Sequence, residues 1–311
     1  MARQRKESSL GTDHAIQVVT ALSALLTALT AAAAIMFTKA SLDATRDQLR
    51  VNEQTHVTDR YARAIEQLAS SSPVVRMGGI YALERLMRDS PSDQPTIVET
   101  LAGYVRVSTA PAEVARTPRN RSRPTPDVQG ALTVLGRRHV GNDAKTAIDF
   151  RHVDVSGADL HRAQMAGAIL LGAALTNADL SLSDLSNANL LGAQLEGARL
   201  NKARLVGAQL DPADLTGADL SESDLTKADL GNQGLLARGA TREQIRNMPS
   251  AGLVGANLTR AILNHTNLAG VDLRRTMGIT TEQLSCAILD RHTKLPPDLV
   301  RPTKRSPKCP K

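Results

Sequence analysis

Seven His and two Cys are the side chains of this 311-residue sequence best suited to metal binding, acid–base work or nucleophilic attack. Their spacing does not gather them. His139, His152, His161 and His265 share no metal-ligand interval, stand beside no partnered nucleophile and adjoin no glycine loop. Cys286 and Cys309 make neither a metal spacing nor a disulfide framework, and they fit a reducing compartment. P-loop and dinucleotide fingerprints are absent as well. The sequence therefore leads us to expect no catalytic residue, no metal and no cofactor.

Composition turns attention from single residues to a repeated element. Aromatic residues are only 2% of the chain and Trp is absent, so an ordinary core of large side chains is not available. Apolar volume has to come from Ala and Leu packed regularly, which favours repetition. The net charge of +7 is unevenly placed. Residues 146–230 carry twelve acidic and six basic side chains, whereas residues 107–145 and 286–311 are basic. The positive balance thus belongs to linker and tail and is no DNA-binding signature.

From Ala15 to Phe37 run 23 residues without a charge, long enough to cross about 30 Å of hydrocarbon as a helix. A transmembrane segment over 15–37, following a basic tail over 1–14, is the reading adopted. A signal peptide cut near Ala31 to Ala34 competes with it, but the apolar run continues through Ile35, Met36 and Phe37. Arg3, Arg5 and Lys6 before the span balance Lys39, Arg46 and Arg50 after it, so the positive-inside rule does not decide orientation. A single-pass protein of the cell membrane with its bulk on the cytoplasmic side is the expectation carried forward.

Residues 38–107 read as an α-helical region. Leu42, Leu49, Ala62, Ile65 and Leu68 recur at near-helical spacing, Pro73 opens a second helix and Pro95 a third. The stretch RYARAIEQLASSSPVVRMGGIYALERLMRDS resembles the helical segment that precedes the repeats in many bacterial membrane-associated pentapeptide repeat proteins. Its VRMGGIYALERL part is similar to a HEAT-type helix. Residues 108–127 hold four Pro and the run Arg116, Arg119, Arg121 and Arg123, and read as a solvated basic linker. A short helix over Asp127 to Arg138 is expected to cover the first turn of the repeats that begin near residue 146.

Starting at Phe150 and stepping by five gives Val155, Leu160, Met165 and then Leu at every step to Leu230. Two residues before each of these 17 centres the chain places Ile148, Val153 and then Ala158 onward to Ala228, with Ala at 13 of the 17 and Ser at 183 and 223. Neither a 3.6-residue helix nor an alternating strand repeats every five, so the chain must turn once per unit. Gly and Asn recur two residues after the centre, as a corner with unusual backbone angles requires. This pattern is similar to that of the pentapeptide repeat family. The resemblance implies a mainly β repeat fold, a right-handed quadrilateral β-helix with four pentapeptides per coil, preceded here by a transmembrane helix and a small α-helical domain. It also implies that Phe150, Leu160, Leu170, Leu180, Leu190, Leu200, Leu210, Leu220 and Leu230 fill the interior. Seventeen units make about four coils and a rod of roughly 20 Å. The β-helix is assigned to 128–277 with an insertion over 231–252, followed by a capping helix and basic tail over 278–311. Thr241 with Gln244, and Thr280 with Gln283, are capping-box patterns, the second closing the end of the rod.

A period of 20 stacks exposed residues in columns. Asp179, Arg199 and Asp219 form one, and Asp184, Arg204 and Asp224 the next, each with an Arg between two Asp. Lys202 falls over Glu222. Ile169, Leu171 and Leu191 make an outward apolar patch, a candidate partner site that the helical region could equally cover. The function expected is a non-enzymatic, membrane-anchored scaffold for protein–protein interaction, touching lipid through 15–37 and an unidentified protein through the rod, with homo-oligomerisation open. The alternative is a DNA-mimicking, topoisomerase-binding protein of the quinolone-tolerance type known in the family. Arg199 and Arg204 interrupt the acidic surface such mimicry needs, and no nucleic-acid partner is expected.

Overall fold

The computed structural model describes residues 2–109, 123–231 and 252–302. It divides into two compact units, Met1–Asp59 and Arg60–Lys311.

Helix α1 is continuous over Ala2–Leu68. No Gly or Pro occurs between Gly11 and Pro73, so nothing in the sequence breaks it where the apolar span gives way to charged residues at Lys39. In the span the apolar side chains lie uncovered, from Leu22 at 60% to Phe37 at 76% exposed. Its hydroxyls are satisfied within the helix: Thr27 and Thr38 donate to the carbonyls of Ser23 and Ala34, four residues back, at 2.8 Å. That back-bonding gives these hydroxyls partners within their own helix.

In the second unit the end of α1 meets α2 (Pro73–Asp89), α3 (Gln94–Thr109) and α4 (Pro126–Gly136). Ile80, Leu83, Ile97, Leu101, Leu132 and Leu135 are fully buried between them. Gly79 sets the α1–α2 crossing, since a Cβ there would lie 2.7 Å from the Ala64 carbonyl oxygen. A polar knot ties α2, α3 and α4. The Arg76 Nε donates to Asp127 Oδ2 at 2.6 Å, Tyr104 donates to the same oxygen, and Arg76 Nη1 reaches the carbonyls of Ser70 and Ser71.

From Asp149 the chain winds as a rod. Each extended residue pairs with the one 20 positions on, Asp149 with Ile169, Asp154 with Ala174, Asp159 with Asp179 and Gln164 with Asp184, always in parallel. These are isolated bridges, and among the described residues none extends into a continuous strand. The reason is the turn every five residues, which leaves one extended position per face. Phe150, Leu160, Leu170, Leu180, Leu190, Leu200, Leu210, Leu220 and Leu230 point inward with the Ala residues two before them, all buried. Where Ser183 and Ser223 replace Ala, each hydroxyl donates at 2.7 Å to the carbonyl of the preceding centre, Leu180 or Leu220. Corner residues adopt positive φ whether Gly or not; Gly157 is at 66°, Leu182 at 60° and Lys202 at 59°.

The ladder is kept across the 231–252 insertion: Asp214 bridges to Gly252 and Asp229 to Asn267, each 38 residues on, so the next coil resumes in register. The capping-box pattern of Thr241 and Gln244 lies outside the described residues. The second pattern is formed: α5 (Thr281–Leu284) carries a capping box between Thr280 and Gln283. Beyond it the ladder continues through Ile288 and Lys294. One sequence expectation is corrected: Cys286 is disulfide-bonded. Cys309, the other cysteine, lies outside the described residues.

Candidate interaction surface

A rod filled by Leu has no room for a substrate inside, so what it can do is decided by its sides and ends. The sides are built from Asp and Asn. Where the residue before a centre is Asp or Asn, its side-chain oxygen turns back on its own corner: Asp179 Oδ1 accepts from the Ser181 amide at 3.0 Å, Asp184 from Ser186 at 2.9 Å, Asp219 from Ser221 at 3.1 Å and Asp224 from Thr226 at 3.0 Å. These are Asx turns, and they commit the acidic side chains to local backbone before any neighbour can use them.

The stacked columns are accordingly weaker electrostatically than their sequence suggests. The backbone ladder aligns Asp179, Arg199 and Asp219, and likewise Asp184, Arg204 and Asp224. Arg199 reaches Asp179 at 3.7 Å, with Arg199 itself 72% exposed. Among the described residues no ion pair joins Arg199 to Asp219 or Arg204 to either of its neighbours, and Asp219 instead accepts from Asn257 Nδ2 at 3.1 Å. Lys202 lies 3.8 Å from Glu222. Exposed pairs of this length contribute about 0–1 kcal/mol. Asp179 is lowered below the usual carboxylate range: burial pushes it up, and hydrogen bonds from Ser181 outweigh that with help from the Arg199 and His161 charges.

The same corner holds a Ser, a His and an Asp in contact. Ser181 Oγ donates to Asp179 Oδ1 at 2.5 Å, and His161 Nδ1 lies 2.8 Å from Ser181 Oγ. The order is wrong for a nucleophile. The hydroxyl proton is held by the carboxylate, so the imidazole faces a hydroxyl lone pair and can only donate to it, whereas an activated Ser must give its proton to the imidazole. Among the described residues no group of three or more His, Cys, Asp or Glu could hold a metal ion.

The apolar patch is only partly open. Ile169, Leu171 and Leu191 are each half-buried, Ile169 lying in the ladder between Asp149 and Asn189. On the coils before the insertion the exposed large apolar residue is Leu182, on a different corner.

The ends are finished by side chains of which the sequence points to Gln283 as part of a capping box and to Gln129 and Arg138 only as members of a covering helix. On each face the first coil leaves an amide and a carbonyl with no preceding coil to pair with. Gln129 of α4 takes both on one face, donating to the Asp159 carbonyl at 2.7 Å and accepting from the Asp159 amide at 3.0 Å, so its side-chain amide stands in for a missing peptide. On the next face the Gly136 carbonyl accepts from the Gln164 amide at 2.8 Å and Arg138 Nη1 donates to the Gln164 carbonyl at 2.6 Å. Arg106 of α3 donates to the Asp149 carbonyl at 2.7 Å. At the far end Gln283 Nε2 donates to the carbonyls of Leu258 and Ala261 at 2.9 and 2.8 Å. Three of the four faces of the first coil, and the carbonyls of Leu258 and Ala261 near the far end, are thereby given partners that another chain would otherwise supply. Gln283 apart, which stands in a capping box, no sequence pattern marks these residues, because each reaches a partner 22 to 43 positions away.

Comparison with known proteins agrees with this architecture. A sequence model of the family described as pentapeptide repeats matches in eight copies, over residues 146–181, 178–217, 194–232 and 251–276. No curated protein matches the chain. Among solved structures, it is similar to the pentapeptide repeat protein Rfr23 of the cyanobacterium Cyanothece 51142, at 25% identity over 50% of this chain and 69% of that one, with a TM-score of 0.25. A pentapeptide repeat protein of the Arabidopsis thaliana thylakoid lumen is 30% identical over 40% of this chain and 68% of its own, with a TM-score of 0.21. QnrB1, a plasmid-mediated fluoroquinolone resistance protein, is 20% identical over 48% and 80%, with a TM-score of 0.25. The five-residue ladder and the matched repeats together make this chain a member of the pentapeptide repeat family.

Proposed function

We propose that this protein is a membrane-anchored, non-enzymatic scaffold whose β-helix and helical cap present surfaces to a protein partner. The observation that supports it is the joining of two features in one chain: an apolar helix whose side chains are covered by nothing among the described residues, and a rod filled inside by Leu, with edge groups at each end paired by Gln129 and Gln283. The first calls for lipid and the second leaves only outer faces for function. The half-buried patch of Ile169, Leu171 and Leu191, with the Asp184, Arg204 and Asp224 column on the adjoining face, is where a partner would dock.

Carbonate extraction of membranes from cells making the full chain tests the anchor: the chain stays in the pellet, and its release as a shortened soluble form supports a cleaved signal peptide instead. Cross-linking in the same membranes followed by identification of adducts tests the scaffold reading. On sidedness, the Cys286 disulfide favours an oxidising compartment and so stands against the cytoplasmic placement taken from the sequence. Protease added to sealed right-side-out cells distinguishes the two, since a rod on the outer side is digested and one on the inner side survives.

A further inference from the structure

We propose that the groove between the last turns of α1 and α2 binds a phosphate dianion, borne on a soluble small molecule or a lipid headgroup. This site is separate from the docking face proposed above. The groove lies wholly within the unit Arg60–Lys311 and holds about 490 Å³. Its lining is Arg60, Arg63, Ala64 and Gln67 of α1 with Ala82 and Arg85 of α2, and no acidic side chain is among them. Helical spacing puts them there: Arg60, Arg63 and Gln67 follow at three and four residues along one face of α1, and Ala82 and Arg85 stand three apart on α2. The two helices approach closely where Gly79 meets the Ala64 carbonyl, and the short side chains of Ala64 and Ala82 leave room beside that crossing.

Charge carries the inference. Asp89 is the one acid bonded to the groove's arginines among the described residues: it accepts from Arg60 Nη2 at 2.7 Å and lies 3.8 Å from Arg85 Nε. Glu84, the other acid near this end of α2, is taken by Arg137, whose Nε and Nη2 donate to its two oxygens at 2.6 and 2.8 Å. Arg63 makes no ion pair and no side-chain hydrogen bond among the described residues. Three guanidiniums thus line one groove against a single carboxylate, and two positive charges stay unmatched. Their mutual repulsion disfavours the fold, and an anion of two charges relieves it.

A phosphate ester meets that need. It carries about −1.5 to −2 charges at pH 7 and offers three acceptor oxygens. Arg is the side chain whose planar fork takes such oxygens two at a time, and here forks come from two helices. Gln67, whose side-chain amide makes no hydrogen bond among the described residues, adds a neutral donor on the same wall. A carboxylate brings one charge and leaves a guanidinium unmatched. At about 490 Å³ the groove falls within the roughly 300–1,000 Å³ of small-molecule clefts, so the phosphate is one end of a larger ligand.

Thermal unfolding of the detergent-solubilised full chain, followed by circular dichroism, tests this. Glycerol 3-phosphate and dihexanoyl phosphatidic acid, both phosphate monoesters, are titrated in separate arms against sodium chloride of equal ionic strength. A saturable rise of several degrees in melting temperature is expected, in the first arm for a soluble phosphate and in the second alone for a lipid headgroup. Arg63→Gln, and separately Arg85→Gln, lose most of that rise, whereas Arg88→Gln, one turn along α2 and outside the lining, keeps it. Because Arg63 is bonded to no other side chain among the described residues, Arg63→Gln leaves the unliganded melting temperature unchanged or higher, so a lost rise is not a lost fold. No rise in either arm, a rise matched by sodium chloride, one that survives Arg63→Gln, or one lost equally in Arg88→Gln overturns the site.

Discussion

Asp127 is almost sealed from water, its side chain 2% exposed, and yet it is held ionised. Burial pushes its pKa up, and hydrogen bonds from Tyr104, Thr125 and Arg76 outweigh that, bringing it from 3.8 down to about 2. A carboxyl whose folded pKa lies below its unfolded one stabilises the fold above pH 4 and loses that contribution as pH falls toward 2. The shift corresponds to roughly 2 kcal/mol. Urea midpoints measured between pH 5 and 2 should fall over that interval, and Asp127→Asn should flatten the fall while lowering stability at pH 7 by about 2–3 kcal/mol, since Arg76 then loses its charge partner. An unchanged pH profile in the variant would mean other carboxylates carry it. Leu182 makes the opposite case. It holds a left-handed corner at φ 60° that costs a branched side chain about 1–2 kcal/mol, and it is 42% exposed, so little packing offsets the strain. Leu182→Gly is expected to raise the urea midpoint by the equivalent of about 0.5–1 kcal/mol. A lower midpoint would show that Leu182 packs in a way its exposure conceals.

At the scale of elements, the rod depends on how its open ladders are finished. Gln129 supplies a donor and an acceptor to the same residue, Asp159, so Gln129→Leu removes both and leaves two backbone groups to water or to nothing, a loss of about 1–2 kcal/mol. The effect is local: hydrogen exchange of the Asp159 amide should quicken while amides of the coil around Leu210 keep their protection. Uniform quickening would mean that the rod opens only as a whole. Such end pairings are the part of the fold that was not legible beforehand. The five-residue period from Phe150 to Leu230 names the inward residues because the solvent and the chain's own geometry act identically at each step. A Gln that substitutes for a peptide has no period and no motif. The charged columns were legible as alignment but misleading as energetics, since Asp184 and Asp224 bond to their own corners and not to Arg204. Likewise the apparent boundary after Phe37 marks a change of composition and not a break in α1, because helix propensity does not shift there.

For the molecule as a whole, the question is whether the helical cap and the rod fold together. Residues 60 to 311 form one compact unit, and α3, α4 and the turn after them bond to the first coil through Arg106, Gln129 and Arg138. Repeat proteins pass stability only between neighbours, so damage deep in the rod reaches the cap coil by coil. Leu200 is fully buried, and Leu200→Asp places a carboxyl among leucines with no partner, a cost of several kcal/mol that the neighbouring coils cannot relieve. The chain itself supplies the reporter, for it has no Trp and its three Tyr, Tyr61, Tyr81 and Tyr104, all lie in the helical part. If cap and rod are one cooperative unit, near-ultraviolet dichroism of these tyrosines melts at a lower temperature in Leu200→Asp, in step with the far-ultraviolet signal of the unit. If the tyrosine transition stays where it is in the parent protein while the rod is lost, the helical domain stands alone, and its contacts to the first coil close an edge without sharing stability across it.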